Sequence, residues 1–219
     1  MLAAGLALLV PSLRRLLPPG TLRARPGLAA GIATRGVLTF SYFGAEAYVL
    51  LGSGQLRGAS PVRAGLALSA AALGWIASSW AQDRMEARGG ASGRVRRVQV
   101  GFALLTLGIV LVAIALLTAL PAWLVPLGWA VGGAGIGFAY SAGSLICIAQ
   151  APPGREGEVS GQLQLAEALG TAAGTGIGGS LLASLESAGR TPRLAHGAVF
   201  AMTLLVGLLG LAIAGRNRS

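Results

Sequence analysis

Long apolar runs, separated by short segments that hold most of the charged residues, dominate the pattern along the chain. Residues 98–153 contain no aspartate, glutamate, lysine or arginine, and one helix needs only about 20 residues to cross the hydrocarbon core of a bilayer. This run is therefore long enough for two transmembrane helices. Transmembrane β-strands alternate apolar and polar residues over segments of about 10 residues, whereas these runs are longer and do not alternate. The pattern predicts an all-α, polytopic transmembrane helical bundle.

Six full spans follow from the apolar runs and the turns between them. Their approximate limits are residues 36–56, 64–81, 98–120, 122–150, 159–185 and 194–215. Proline and glycine interrupt helices, and they mark turns at Pro121 and at residues 152–154. The polar segment over residues 82–97 is predicted to be a loop. We expect residues 27–219 to form a six-helix transmembrane bundle.

The first 26 residues do not form a complete span. Met1–Val10 are apolar, but they lack the preceding basic residues of a secretory signal peptide. Ten helical residues are only about 15 Å long, which is roughly half of the hydrocarbon thickness of a bilayer. We interpret residues 1–26 as the end of a truncated helix followed by a cytoplasmic Arg/Pro linker.

Composition and charge agree with a membrane location. Apolar residues make up 54% of the 219 residues and charged residues only 11%, against about 25% charged residues in soluble domains. All 17 basic residues are arginines, and the net charge is +10. Such a charge can indicate nucleic-acid binding. Here the arginines lie in short loops between apolar spans, which favours the positive-inside rule over a nucleic-acid partner.

The distribution of arginines also predicts the orientation of the chain. When six spans alternate, 13 arginines lie on the side of both termini and four lie on the opposite side. Cytoplasmic loops carry an excess of basic residues, so we expect a multi-pass plasma-membrane protein with both termini in the cytoplasm. Arg35 is counted among the cytoplasmic loop residues in this scheme.

The first span carries a polar face. Thr39, Tyr42 and Glu46 are spaced three and four residues apart, which places them on one side of a helix. Glu46 is near the middle of the span, where a carboxylate that faces lipid costs at least about 2.5 kcal/mol. It should therefore face the bundle interior. Two interpretations stay open, a carboxylate that couples transport to protons or cations and a structural acid bonded to a neighbouring helix.

The fifth span carries a similar stripe that includes Gln164 and Glu167, and Glu167 is a second candidate for coupling. The glycines at 170, 174 and 178 recur at every fourth position, and small residues at this spacing allow two helices to approach closely. Packing is the favoured role of that glycine stripe. The Gly132–Gly137 segment lies inside an apolar span and lacks a Gly-Lys-Ser/Thr signature, which favours packing there over a phosphate-binding loop.

Spans one to three and spans four to six show a weak internal repeat. The first span of each set carries aromatic residues among small ones, at Phe40–Gly44 and at Gly137–Ser141. The second span of each set is rich in small residues, and the third is uniformly apolar. Because three spans reverse the direction of the chain, the second set is inverted relative to the first. Two inverted three-helix repeats are the building unit of many secondary transporters.

Residues 35–48, 64–66 and 74–75 resemble helices seven and eight of the major facilitator superfamily, in particular its multidrug and proton-linked efflux members. The resemblance covers nearly the whole chain and implies the C-terminal half of such a transporter, helices seven to twelve. It implies that the first and fourth spans line the central cavity and that the second and fifth pack against the other half. The third and sixth spans would face lipid.

The segment after the second span resembles the family's cytoplasmic loop motif in part. Asp83 and Arg84 match its acid and its base, but Ser79 replaces its glycine, and the basic pair is displaced to Arg96 and Arg97. The resemblance implies a role for Asp83 and Arg84 in helix packing and in the cytoplasmic gate. A solvated, arginine-rich loop is the alternative that stays open.

Together with the family resemblance, these features predict a secondary active transporter that exports small molecules by alternating access, coupled to protons or to another cation. Its partners would be the lipid bilayer, the small-molecule substrate, and a missing N-terminal six-helix half or a second chain. A non-transporting membrane scaffold or pseudo-transporter half is the alternative.

A membrane enzyme is disfavoured. Ser144 lacks the Gly-x-Ser context of an intramembrane serine protease, and Asp83 is the only aspartate, whereas a metal-dependent lipid transferase needs several. Cys147 is the only cysteine, so the chain has no intramolecular disulfide. No spacing of ligating residues predicts a metal or another cofactor.

Overall fold

The computed structural model describes residues 17–217, and these residues form six long α-helices with a short 3-10 turn near each end. The helices are α1 (Leu28–Arg57), α2 (Pro61–Gly89), α3 (Arg94–Leu117), α4 (Leu124–Ala149), α5 (Glu156–Ser187) and α6 (Pro192–Ala214). No strand occurs in residues 17–217. The all-α prediction is confirmed, whereas the predicted truncated helix at Met1–Val10 lies outside the described residues.

Five of these helices, α2 to α6, are long and apolar enough to cross a membrane. The chain is therefore a helical membrane protein, as the sequence predicts. α1 does not reach the same mean hydropathy, because it carries Arg35, Glu46 and several hydroxyl side chains. It is nevertheless a central helix, since 16 of its 30 residues are buried. A helix enclosed by other helices can carry polar groups that lipid would not tolerate.

The helix ends follow local sequence signals. α2 and α6 each begin with proline at the first helical position, where its missing N–H costs nothing. The hydroxyl oxygens of Ser60 and Thr191 cap these helices by accepting 3.4 Å hydrogen bonds from the N–H groups of Arg63 and Leu194. α1 ends at Arg57 and is capped by Gly58, whose φ of 59° is in the left-handed region that favours glycine.

α2 extends further than the sequence predicts. It continues past Gln82 to Gly89, and α3 starts at Arg94, so only residues 90–93 form the turn between them. The predicted loop over residues 82–97 is therefore too long. Charged residues are excluded from the hydrocarbon but not from a helix, so the apolar run ends before the helix does.

α1 and α4 lie at the centre of the bundle. α1 packs mainly on α5 and α6, and α4 packs mainly on α2 and α3, while α3 and α6 contact each other. α2 and α5 lie at the periphery and expose apolar side chains such as Leu73, Ile76 and Ile177. Such side chains are suited to contact with lipid or with another apolar protein surface.

Glycine lets backbones touch where α5 crosses α1 and where α4 crosses α2. A Cβ atom added to Gly174 on α5 would lie 2.5 Å from the carbonyl oxygen of Phe40 on α1. A Cβ atom added to Gly133 on α4 would collide with the carbonyl oxygen of Ala71 on α2. Any larger residue would push these helices apart, so the packing role predicted for both glycine segments is confirmed.

Candidate functional site

A buried ion pair joins α1 and α5. Arg35 lies in the third turn of α1 and is only 4% exposed. Its Nη1 atom lies 3.7 Å from Oε2 of Glu167 on α5. The glycine crossing described above brings the two helix backbones together, so these side chains meet although they are far apart in the sequence. The pair is thus a product of the helix packing.

Tyr140 on α4 contacts both members of the pair. Its hydroxyl donates a 2.8 Å hydrogen bond to Glu167 Oε2, and its backbone carbonyl accepts a 3.0 Å hydrogen bond from Arg35 Nη2. The Arg35 Cζ atom lies 3.4 Å from the centroid of the Tyr140 ring, which is a cation–π contact. Arg35 Nη2 also donates to the hydroxyl of Ser144. We call Arg35, Tyr140, Ser144 and Glu167 the Arg35 network.

The two charges of this network differ in their access to solvent. The side chain of Arg35 is 3% exposed and that of Glu167 is 30% exposed. An arginine guanidinium stays protonated in proteins, so the buried charge of Arg35 needs a balancing group. The Glu167 carboxylate supplies that balance. Arg35 Nη1 has no hydrogen-bond partner among the described residues, so one donor is left for a further acceptor.

Glu167 faces an open depression of about 560 Å³ on the side of the bundle. The aromatic side chains of Phe43 and Tyr140 and the polar side chains of Gln164 and Thr171 also line it. Small-molecule pockets have volumes of about 300–1,000 Å³ and are mostly apolar with a few placed polar groups. The structure therefore brings together Glu167 and Gln164, which the sequence predicts as site residues, and adds Tyr140.

Glu46 lies in a different part of α1. It follows Arg35 by eleven residues, which corresponds to about 16 Å along the helix axis. Its carboxyl group lies beside the Tyr42 hydroxyl and the Trp129 indole. The Tyr42 ring stacks on the Trp129 ring with 5.0 Å between the ring centroids, and the indole Nε1 is buried without a hydrogen-bond partner among the described residues. Glu46 thus faces α4 at an aromatic contact, separate from the Arg35 network.

Thr39 has a packing role in this structure. It is fully buried, and its hydroxyl lies 3.2 Å from the backbone carbonyl oxygen of Glu167 on α5 and 3.2 Å from that of Arg35 in its own helix. A hydroxyl between two backbones stabilises the crossing of α1 with α5. Tyr42 is buried as well, so Glu46 is the one member of the predicted polar face that remains partly exposed.

Glu86 forms ion pairs beside the α2–α3 turn. Arg94 Nε donates a 3.0 Å hydrogen bond to Glu86 Oε1, and Arg97 Nη2 lies 2.5 Å from Glu86 Oε2. The hydrogen bond from Arg94 and the charges of both arginines outweigh desolvation and hold the pKa of Glu86 below its ordinary value. These contacts fasten the end of α2 to the start of α3.

Asp83 and Arg84, the residues that match the family's loop motif, lie near the end of α2. Both are exposed on α2, and the Arg84 guanidinium carbon lies 3.3 Å from the centroid of the Trp80 ring. Among residues 17–217, no basic side chain lies within 4.0 Å of the Asp83 carboxylate. The two acids are three residues apart, and the helix turns Glu86 rather than Asp83 toward α3.

Arg35 and Glu86 are important residues that the sequence does not reveal by simple pattern. The distribution of arginines places Arg35 in a cytoplasmic loop, and that assignment is wrong, because α1 begins at Leu28 and buries Arg35. The sequence contains one signal that places Arg35 inside a helix. Residues 27–34 are apolar or small, so a helix can begin before Arg35 and carry it into the bundle.

The fold and the Arg35 network define a helical membrane protein with a buried ion pair beside an open depression. Within residues 17–217, no group of three or more histidine, cysteine, aspartate or glutamate side chains is placed to hold a metal ion. No protein-family model matches the chain, and no curated protein matches it.

Proposed function

We propose that this chain forms one six-helix half of a secondary active transporter that exports small amphipathic molecules in exchange for protons. The Arg35 network is the observation that carries the proposal. Ionisable residues inside membrane segments are costly, and they typically mark substrate or ion pathways. Here a buried guanidinium and a partly exposed carboxylate meet at the edge of a depression large enough for a small molecule.

Protonation of Glu167 supplies the coupling step. As a carboxylate, Glu167 balances the charge of Arg35 and accepts the hydrogen bond from Tyr140. When Glu167 takes up a proton, the attraction to Arg35 is lost, while the guanidinium keeps its charge in a buried place. That state favours a conformational change in which the Arg35 guanidinium contacts another hydrogen-bond acceptor. Proton uptake and helix movement are thereby linked, because protonation changes the relative stability of the two conformations.

The packing of the helices supports two inverted three-helix repeats. In such a repeat, α1 corresponds to α4, α2 to α5 and α3 to α6. The α1–α5 contact then corresponds to the α4–α2 contact. The α1–α6 contact likewise corresponds to the α4–α3 contact. All four are major contacts of the bundle. Glycine brings backbones together in the first two, and also in the α4–α3 contact. We therefore propose that α1 crosses the membrane as well, which gives six spans with both termini in the cytoplasm.

A second six-helix bundle, from the same protein or from another chain, would complete the site. The depression beside Glu167 is open on one side, so its remaining wall has to come from elsewhere. α2 and α5 are peripheral, expose apolar side chains, and are the helices that the family resemblance assigns to contact with the other half.

Substitutions at the two intramembrane acids test the transport proposal. In the organism that carries the gene, the chromosomal codon is changed to give Glu167→Gln or Glu46→Gln, and a deletion strain is made. Cells are loaded with a cationic, a neutral or an anionic amphipathic dye, and energised efflux is followed by fluorescence. We expect the deletion strain and Glu167→Gln to retain at least one dye, because both lack the proton-binding carboxylate.

Glu186→Gln is the matched control. Glu186 lies on the same helix as Glu167 but is exposed near its end, so this variant should export dye like the wild type. Equal retention of all three dyes by the wild type, the deletion strain and Glu167→Gln would contradict transport and leave a non-transporting scaffold. Normal efflux by Glu46→Gln would assign that acid a structural role.

Cysteine labelling tests the proposed orientation. Ser92, in the turn between α2 and α3, and Ser187, at the end of α5, are both exposed at opposite ends of the bundle. Each is changed to cysteine in a Cys147→Ala background. We expect a membrane-impermeant maleimide to label Ser187→Cys in intact cells and Ser92→Cys only after lysis. The reverse labelling pattern would show that the chain has the opposite orientation in the membrane.

A further inference from the structure

A second cavity lies at the opposite end of the bundle from Glu86, between the α1–α2 turn and the α3–α4 turn. Its volume is about 330 Å³. Apolar side chains form much of its wall, including Leu66, Leu116 and Val125. Trp123 and the basic residues Arg57 and Arg63 also line it.

The two arginines give this cavity an uncompensated positive charge. Arg57 Nη1 donates a 2.6 Å hydrogen bond to the Thr118 carbonyl oxygen, and Arg57 Nη2 donates to the Leu120 carbonyl oxygen. These bonds hold the guanidinium in place but do not neutralise it. Over residues 17–217, no carboxylate lies within 4.0 Å of Arg57 or Arg63.

Two of the arginines at this end of the bundle lie together at this cavity. Only four arginines are assigned to this end of the bundle, and two of them line one cavity, whereas Arg190 and Arg193 do not. A guanidinium group presents its N–H donors in a planar fork that matches a carboxylate or phosphate. Apolar walls beside such a fork are suited to the hydrocarbon part of the same ligand.

We propose that this cavity binds an amphipathic anion. Arg57 and Arg63 hold its carboxylate or phosphate head, and its apolar chain lies against the exposed side chains of Leu66 and Trp123. The cavity is at the end of the membrane-spanning helices, the level at which the head groups of lipids lie. Two sources share this chemistry, a free fatty acid dissolved in the bilayer and an anionic phospholipid.

Trp123 provides the readout, because bromine atoms quench indole fluorescence at contact range. The full chain is placed in phosphatidylcholine vesicles and titrated with dibromostearic acid or with dibromostearyl alcohol, which has the same chain and no charge. We expect saturable quenching by the acid and not by the alcohol. Trp123→Phe should remove the saturable part of the signal and thereby show that it arises at this cavity.

Arg63→Gln is the decisive variant, since Arg57→Gln also removes the bonds to the end of α3. We expect Arg63→Gln to weaken the apparent affinity for the acid about tenfold, as expected for one lost charge-assisted contact. Arg190→Gln, at the same end of the bundle, should bind like the wild type. Equal quenching by acid and alcohol, or wild-type affinity in Arg63→Gln, would overturn the proposal.

Brominated phospholipids separate the two sources. Vesicles that contain brominated phosphatidylglycerol are compared with vesicles that contain brominated phosphatidylcholine. Stronger, Arg63-dependent quenching by phosphatidylglycerol identifies a membrane lipid as the ligand. Arg63-dependent quenching by the fatty acid alone identifies a free amphiphile. If neither probe gives an Arg63-dependent signal, the cavity does not bind amphipathic anions.

Discussion

Replacement of Glu167 by glutamine isolates the ion pair with Arg35, because it keeps the size of the side chain and removes its charge. At 3.7 Å and an effective dielectric constant of about 20, two unit charges attract each other by about 4.5 kcal/mol. The 30% exposure of Glu167 screens part of this attraction, and the amide can still accept a hydrogen bond from Tyr140. We expect the free energy of unfolding to fall by about 2–3 kcal/mol, below the 3–5 kcal/mol typical of a fully buried pair.

A double-mutant cycle with Arg35→Met separates the pair from the other contacts of each side chain. Unfolding is followed by circular dichroism at pH 7 as the mole fraction of dodecyl sulfate is raised in mixed micelles. The coupling energy between Glu167→Gln and Arg35→Met should be about 1–3 kcal/mol, the range for residues in direct contact. If the two substitutions add within about 0.5 kcal/mol, the ion pair does not stabilise the fold and the reasoning is refuted.

The chain contains a matched control for this cycle. The Arg155–Glu158 pair at the start of α5, between the residue that precedes the helix and its first turn, has side chains that are 60% and 46% exposed. Exposed ion pairs contribute at most about 1 kcal/mol, because water screens the charges. The same cycle at Arg155 and Glu158 should therefore give a smaller coupling energy than the cycle at Arg35 and Glu167.

Two further substitutions test the packing and the turn between α2 and α3. Glu86→Gln should lower the melting temperature at pH 7, and this difference from the wild type should shrink as the pH falls below about 4.3, the ordinary glutamate pKa. The sign follows from the lowered pKa of Glu86, since its contribution is present above the unfolded-state value and is lost as the pH falls through the folded-state value. An equal difference at pH 7 and pH 3.5 would contradict this. Gly133→Ala should destabilise the bundle by about 1–3 kcal/mol through overpacking, whereas Gly65→Ala, where an added Cβ meets nothing within 4 Å, should be neutral or stabilising. Equal melting temperatures for the two alanine variants would refute a backbone contact at the α2–α4 crossing.

The helical membrane architecture was predictable because it depends on local patterns. The core of a small soluble domain cannot bury apolar runs of 18 or more residues. Glycines at every fourth position lie on one face of a helix. Both features need only the spacing along the chain. The caps at Ser60 and Thr191 have the same local origin, since each hydroxyl residue directly precedes a proline that starts a helix.

The candidate site was only partly predictable because it depends on which helices touch. Glu167 and Gln164 could be proposed from their position in an apolar span, but Arg35 and Tyr140, the partners of Glu167, come from two other helices. Glu86 was missed for a similar reason. Asp83 has the better match to a known motif, yet the rotation of α2 about its axis decides which acid faces α3, and that rotation is set by packing.

The glycine crossings also have a mechanical consequence. Helices whose backbones touch have to separate before they can slide along each other, so α1 with α5, and α4 with α2 and α3, form two closely packed blocks. The seam between the blocks is made of side chains, including the flat rings of Tyr42 and Trp129, which tolerate small displacements. The bonds from Arg35 to the Tyr140 carbonyl and to Ser144 cross this seam. Arg35 thus joins the two blocks by hydrogen bonds, while its ion-pair partner Glu167 lies on α5, in the same block as Arg35.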